Sequence, residues 1–152
     1  PGPSFAGALS CPASAREGDL ASSADTAAFS DVCFGRLYTS PPCEAGALLL
    51  SPMISLPAST RANLDLGNKA IAADPAQPRG LVWNMDEVEL GLQNEEHWVM
   101  EYPDTSGRSV GAPVYVFPTH ICPSSALHHY VYVIDADGHC RERWDVTARD
   151  RE

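Results

Sequence analysis

The sequence has 152 residues, with ten Lys and Arg residues against twenty Asp and Glu residues, a formal net charge of −10 and a pI near 4.8. This length suits one domain and is too short for a (β/α)₈ barrel, which needs roughly 250 residues. The acidic balance argues against a nucleic-acid surface and against a polybasic membrane patch. Lys69 is the only lysine, which limits the chemistry open to this chain alone.

Residues 1–44 are rich in Ala, Ser and Pro, and residues 1–30 show no sustained period of two or 3.6 residues. Such a composition favours a linker or a loosely ordered lead-in to a domain at 45–152. The first residues have neither the basic region nor the apolar region of a signal peptide. Five cysteines at irregular spacing do not indicate a disulfide framework. We therefore expect a reducing, cytoplasmic setting.

The domain at 45–152 contains short apolar runs typical of β-strands. Pro52 interrupts the first run and predicts an edge strand or a bulge there. Asp137-Gly138 lies between two alternating runs, which is a strong hairpin signal. A single helical turn is expected at 123–127. The runs lie at 47–55, 61–66, 80–83, 88–92, 98–102, 114–117, 130–134 and 140–144. This pattern predicts a mainly β fold, a small antiparallel barrel or sandwich.

The most informative polar pair is His120 with Cys122. In an extended chain, side chains two positions apart point to the same face, so the imidazole and the thiolate would converge. Both are good ligands for zinc or another divalent metal, and two protein ligands leave coordination positions open, as in a catalytic site. The pattern alone favours the simpler alternative, a packed thiol beside a partly buried histidine.

Two other polar groups carry weaker signals. Glu95, Glu96 and His97 are consecutive, and could hold or orient a ligand or form a solvated loop. Asp65 and Lys69 flank a glycine and would form an ion pair if the segment were a strand. The simpler interpretation for both groups is a solvated surface.

Three motifs in fixed order resemble the C-terminal domain of the D-serine dehydratase and D-threonine aldolase family. They are Leu64-Asp65-Leu66-Gly67-Asn68-Lys69-Ala70-Ile71-Ala72-Ala73-Asp74, Asn94-Glu95-Glu96-His97 and Pro118-Thr119-His120-Ile121-Cys122-Pro123. The tail from Tyr132 to Val146 also fits, so the resemblance covers about 45–152. It favours the metal site at His120 and Cys122, with Glu95, Glu96 and His97 as a surrounding shell.

The resemblance implies a pyridoxal-phosphate-dependent lyase that acts on small D-β-hydroxy amino acids. In that family an N-terminal barrel carries the cofactor on a lysine, the β-domain supplies the metal pair, and a homodimer brings the two domains together. This sequence contains no such barrel, so the resemblance implies a partner barrel in cis or in trans. Lys69 belongs to a motif of the β-domain, and we do not assign it to the cofactor.

Two functions therefore follow from the sequence. One is the metal-binding domain of a lyase that is inactive alone, with no catalytic residue of its own and with pyridoxal phosphate only in a full-length parent. The other is a non-catalytic zinc-binding β-module used for assembly. D-serine dehydration and D-threonine aldol cleavage both stay open.

Overall fold

A computed structural model describes residues 46–149 of the chain. The predicted lead-in at 1–44 lies outside the described residues. Eight strands and two short helices follow in order. They are β1 (Leu49–Ala58), β2 (Arg61–Leu64), β3 (Gly80–Val82), β4 (Glu89–Gln93), β5 (Trp98–Glu101), β6 (Pro113–Pro118), α1 (Ile121–Ala126), β7 (Tyr130–Ile134), β8 (Cys140–Asp145) and a 3₁₀ turn (Thr147–Arg149). Neither helix within 46–149 has the length and apolar character needed to cross a membrane.

The main sheet has six strands in the order β3-β6-β1-β2-β5-β4, and β7 pairs with β8 in a separate hairpin. Every pairing is antiparallel. The large sheet curls strongly into half a barrel. The predicted mainly β class is thus confirmed, and the curl places the architecture nearer to a small barrel than to a flat sandwich.

The long strand β1 makes the curl because it changes partners along its length. Leu49 to Pro52 pair with β6, whereas Met53 to Ala58 pair with β2, and the register shifts after Met53. A shifted register bends a strand and increases its twist. β1 lies inside the sheet, so Pro52 is not on an edge strand. Pro52 itself pairs in regular register with Pro113 of β6, and the first register shift of β1 lies between Met53 and Ser55.

The hydrophobic core lies on the inner face of the curled sheet. Alternate residues of β2, β5 and β6 point into it, as the period of two requires. Trp98 is fully buried there, as expected for an anchoring tryptophan. The core residues are Met53, Ala62, Leu64, Leu66, Ile71, Met85, Trp98, Met100, Tyr102, Val114 and Val116.

The outer face of β3, β6 and the first half of β1 is also apolar, but it is exposed. Leu50 lies opposite Tyr115 in the ladder, and Leu81 lies opposite Phe117. The Trp83 ring meets the Phe117 ring edge to face at 4.9 Å between centroids, yet its residue is 67% exposed. We call these five residues the outer apolar face. Ordinary protein surfaces rarely expose contiguous apolar area of this kind, so the outer apolar face is a candidate interaction surface.

Candidate metal site

His120 and Cys122 lie where β6 passes into α1. His120 has extended backbone angles, φ −132° and ψ 107°, whereas α1 already begins at Ile121. The predicted geometry, with both side chains on one face of an extended segment, is therefore wrong. A helical turn starts two residues earlier than expected and carries Cys122. Metal binding by the pair itself stays a prediction.

The His120 imidazole has a carboxylate partner that the sequence did not reveal. Its Nδ1 lies 2.5 Å from Asp74 Oδ2, and the two side chains are 40% and 54% exposed. Because Nδ1 is engaged, Nε2 is the ring nitrogen left for a metal. A carboxylate on the other ring nitrogen is the usual environment of a metal-binding histidine.

Hydrogen bonds join α1 to the loop that carries Asp74. The Ser124 side chain is fully buried; its Oγ accepts the N–H of Ala72 at 3.0 Å and donates to the carbonyl of His120 at 2.7 Å. His128 Nε2 lies 2.9 Å from the carbonyl oxygen of Ala70. These contacts tie both sides of the candidate site into one unit.

The donor set suits a borderline-soft divalent metal. Cys122 is half-buried and forms no disulfide within the described residues. Its carbonyl accepts the Ser125 hydroxyl at 2.8 Å, which steadies the first turn of α1. One imidazole nitrogen and one thiolate match zinc chemistry and leave positions for water or substrate. The donor types of His120 and Cys122 therefore suit such an ion.

Glu95, Glu96 and His97 are exposed and lie in the turn between β4 and β5. The peptide joining Glu95 to Glu96 packs against Gly67, where an added Cβ would lie 2.2 Å from the Glu95 carbonyl. Their observed contacts are to this loop and to Asn94, whose Oδ1 accepts the N–H of His97 at 2.7 Å. A role around a metal stays a prediction.

Lys69 pairs with Glu96 and not with Asp65. The Asp65–Lys69 pair was expected only if this segment were a strand, and that condition is not met, because β2 ends at Leu64 and the chain turns before Lys69. The hydrogen bond that the Lys69 ammonium donates to the Glu96 carboxylate raises the pKa of Lys69 above its usual value. Lys69 is thus a surface cation with a carboxylate partner.

One group of three potential ligands was missed by the sequence analysis. Within residues 46–149, ligand atoms of Asp135, Asp137 and His139 lie within 4.8 Å of one another at the β7–β8 turn. The Asp135 carboxylate already accepts the N–H of His139, which lowers its pKa, and also pairs with Arg141. The contacts of Asp135 are those of an aspartate that closes a turn. The available signal in the sequence was an aspartate two positions before Asp137-Gly138. The His139 side chain is exposed.

Comparison with known proteins identifies the family. A family model described as a putative serine dehydratase domain matches residues 46–134, more than half of the chain. The chain belongs to this family. A D-threonine aldolase of an Arthrobacter species is 28% identical over 107 residues, which are 70% of this chain and 27% of that protein.

Solved structures share the fold. The D-threonine aldolase of Filomicrobium marinum matches with a TM-score of 0.72 and 22% identity over 82% of this chain and 34% of its own. The D-threo-3-hydroxyaspartate dehydratase of Delftia sp. HT23 matches with a TM-score of 0.67 and 20% identity over 79% of this chain and 37% of its own. Alanine variants of such a dehydratase also match, one at a histidine and one at a cysteine two positions later, the latter in a metal-free form. The chain thus spans about a third of these proteins.

Proposed function

We propose that this chain is the metal-binding β-domain of a pyridoxal-phosphate-dependent lyase that acts on D-β-hydroxy amino acids. The observation that carries the proposal is the His120-Asp74 contact beside Cys122 on a fold shared with such enzymes. The histidine and cysteine replaced in the dehydratase variants are two positions apart, like His120 and Cys122. We propose zinc as the ion.

The chain's own residues would prepare the site. Asp74 engages one nitrogen of His120, and Ser124 holds the turn that carries Cys122. A divalent ion held by this pair would supply Lewis acidity to a substrate hydroxyl. Dehydration and aldol cleavage both use that property, so this site serves either reaction.

Pyridoxal phosphate belongs to the proposed full-length parent and not to this chain alone. The only lysine, Lys69, is exposed and forms an ion pair with Glu96. We therefore expect that adding pyridoxal phosphate and D-serine to the purified chain changes no cofactor absorbance and releases no pyruvate. Turnover that is lost in Lys69→Ala would overturn this part of the proposal.

The decisive experiment is a zinc titration by calorimetry with four single variants. His120→Ala and Cys122→Ala should each lose the high-affinity site. Cys140→Ala and His139→Ala are matched controls, because one removes an exposed thiol and the other a ligand of the β7–β8 turn. Both controls should bind like the wild type. Equal zinc stoichiometry in Cys122→Ala and the wild type would refute the site.

We also propose that the outer apolar face docks against the barrel domain of the parent. The matched part covers only 27% of the Arthrobacter relative and 34% of the Filomicrobium structure, so most of each relative is available to cover that face. Dimerisation, which the family resemblance implies, stays a prediction. A reducing, cytoplasmic setting is proposed as well, since a metal-binding cysteine needs its thiol reduced.

Co-expression with the barrel fragment of a D-threonine aldolase relative tests the docking. Leu50→Ser should weaken the complex in a pull-down, because Leu50 is 64% exposed in the outer apolar face. Leu92→Ser is the control, since Leu92 is 76% exposed on β4 at the opposite edge of the sheet. Equal weakening by both substitutions would contradict the assignment of this face.

A further inference from the structure

The contact of Asp74 with His120 could not be inferred from the His120–Cys122 pair or from the spacing of that pair. It lies in the loop between β2 and β3, 46 positions before His120 along the chain, yet its Oδ2 reaches His120 Nδ1 at 2.5 Å. The acidic residues expected to surround the metal were Glu95 and Glu96, whose observed contacts are to the loop around Gly67. The carboxylate that contacts the candidate ligand is thus a different one.

The loop that carries Asp74 is held firmly against α1. Ile71 and Ala72 are buried, and the N–H of Ala72 donates to the buried Ser124 hydroxyl. The same hydroxyl donates to the carbonyl of His120. One serine therefore connects the backbone two residues before Asp74 to the backbone of His120, which makes the carboxylate–imidazole contact a consequence of packing.

We propose that Asp74 is a positioning residue that selects Nε2 of His120 as the metal-binding nitrogen. This inference rests on the proposed function, because it needs a metal at His120 and Cys122. A carboxylate at Nδ1 keeps the proton on that nitrogen, fixes the ring and makes Nε2 a stronger donor. Without it, neutral histidine distributes its proton between both nitrogens and the ring is free to turn.

A purely electrostatic surface pair would have a different signature. If Asp74 acted on His120 only through its charge, Asp74→Ala and Asp74→Asn would change the zinc affinity equally. If Asp74 positions the ring through the hydrogen bond, Asp74→Asn changes the affinity less. Asp74→Ala removes both the charge and the acceptor. Asp74→Asn removes the charge and keeps an acceptor oxygen. Asp65→Ala is the matched control, because it removes an exposed carboxylate from the same motif with no side-chain contact to His120.

Two measurements on the full chain test the inference. Long-range ¹H–¹⁵N NMR of the metal-free protein reports which nitrogen of neutral His120 carries the proton. We expect Nδ1 in the wild type, in Asp65→Ala and in Asp74→Asn, and a mixture in Asp74→Ala. Zinc titration with a competing chelator should show a Kd raised about 10–100-fold in Asp74→Ala. The Kd should be raised less in Asp74→Asn and unchanged in Asp65→Ala.

The outcomes separate this inference from the proposed function. A wild-type chain that binds no zinc through His120 and Cys122 refutes the proposed function, and the inference with it. A wild-type chain that binds zinc there, while Asp74→Ala binds it equally well, overturns the inference alone. Circular dichroism of each variant establishes that the comparison is made between folded proteins.

Discussion

Replacing Gly67 by alanine tests how closely the two loops beside the candidate site are packed. Gly67 is buried, and an added Cβ would lie 2.2 Å from both the carbonyl carbon and the carbonyl oxygen of Glu95 and 2.3 Å from the nitrogen of Glu96. These are all backbone atoms, so no side-chain rotation relieves the overlap. Glycine is required here because there is no room for a side chain. The backbone conformation does not require it, since Gly67 is not among the residues with positive φ.

The free-energy cost of Gly67→Ala can be worked out for the two ways in which the loops can respond to the added methyl group. If the loops stay together, small-to-large overlap costs about 1–3 kcal/mol. If they separate, the hydrogen bonds from the N–H of Asn68 to the Asn94 carbonyl (2.9 Å) and from the N–H of Lys69 to the Glu95 carbonyl (3.1 Å) are lost. At about 0.5–1.5 kcal/mol each, two backbone hydrogen bonds give the same range. We therefore expect Gly67→Ala to lower the free energy of unfolding by about 1–3 kcal/mol.

Urea unfolding followed by tryptophan fluorescence measures this change, because Trp98 is fully buried in the folded state. Gly91→Ala is the matched control, since a Cβ on Gly91 would come no closer than 3.4 Å to the Val99 carbonyl oxygen. Its free energy of unfolding should stay within about 0.5 kcal/mol of the wild type. A Gly67→Ala variant as stable as Gly91→Ala, with the same urea dependence, would refute the packing argument.

Two further predictions concern buried polar groups. Ser124→Ala should lower the free energy of unfolding by about 1–3 kcal/mol, because it leaves a buried backbone N–H and carbonyl without their partner; Ser125→Ala, measured by the same urea titration, should cost less, and equal costs would contradict the role of Ser124. Burial raises the pKa of Tyr102. The unfolded chain therefore ionises first, and the stability due to Tyr102 is complete below pH about 10 and is lost as the pH rises through the folded pKa. Tyr102→Phe should flatten the decline in unfolding free energy between pH 9 and 11, and identical slopes would show that Tyr102 does not contribute.

Much of the β-structure could be predicted because its signals are local. Alternation within Val114 to Phe117 and the Asp137-Gly138 turn depend on neighbours in sequence, and both elements form as expected. The partner exchange of β1 is not local, since it depends on how β2 and β6 meet the two halves of one strand. Proline at Pro52 indicated an irregularity but could not distinguish an edge from a bulge.

The candidate site was predicted less well, because its contacts join segments far apart in the chain. The Lys69–Glu96 pair spans 27 positions and follows from the turn at Gly67, which moves Lys69 away from Asp65. The early start of α1 had a signal, since Pro123 is its third residue and proline is tolerated in a first helical turn. An extended chain up to Pro123 was assumed instead, and that assumption misplaced Cys122.

The observed position of Cys122 changes what determines the relative position of the two metal ligands. Two ligands on one rigid strand would keep their geometry through the strand alone. With His120 on extended chain and Cys122 in a helical turn, their relative position depends on the turn between them, which Ser124 holds through the His120 carbonyl. Asp74 then restrains the His120 ring from a third segment. The spacing of two ligands is therefore an incomplete description of this site, and substitutions at Ser124 or Asp74 should weaken zinc binding although neither residue is a ligand.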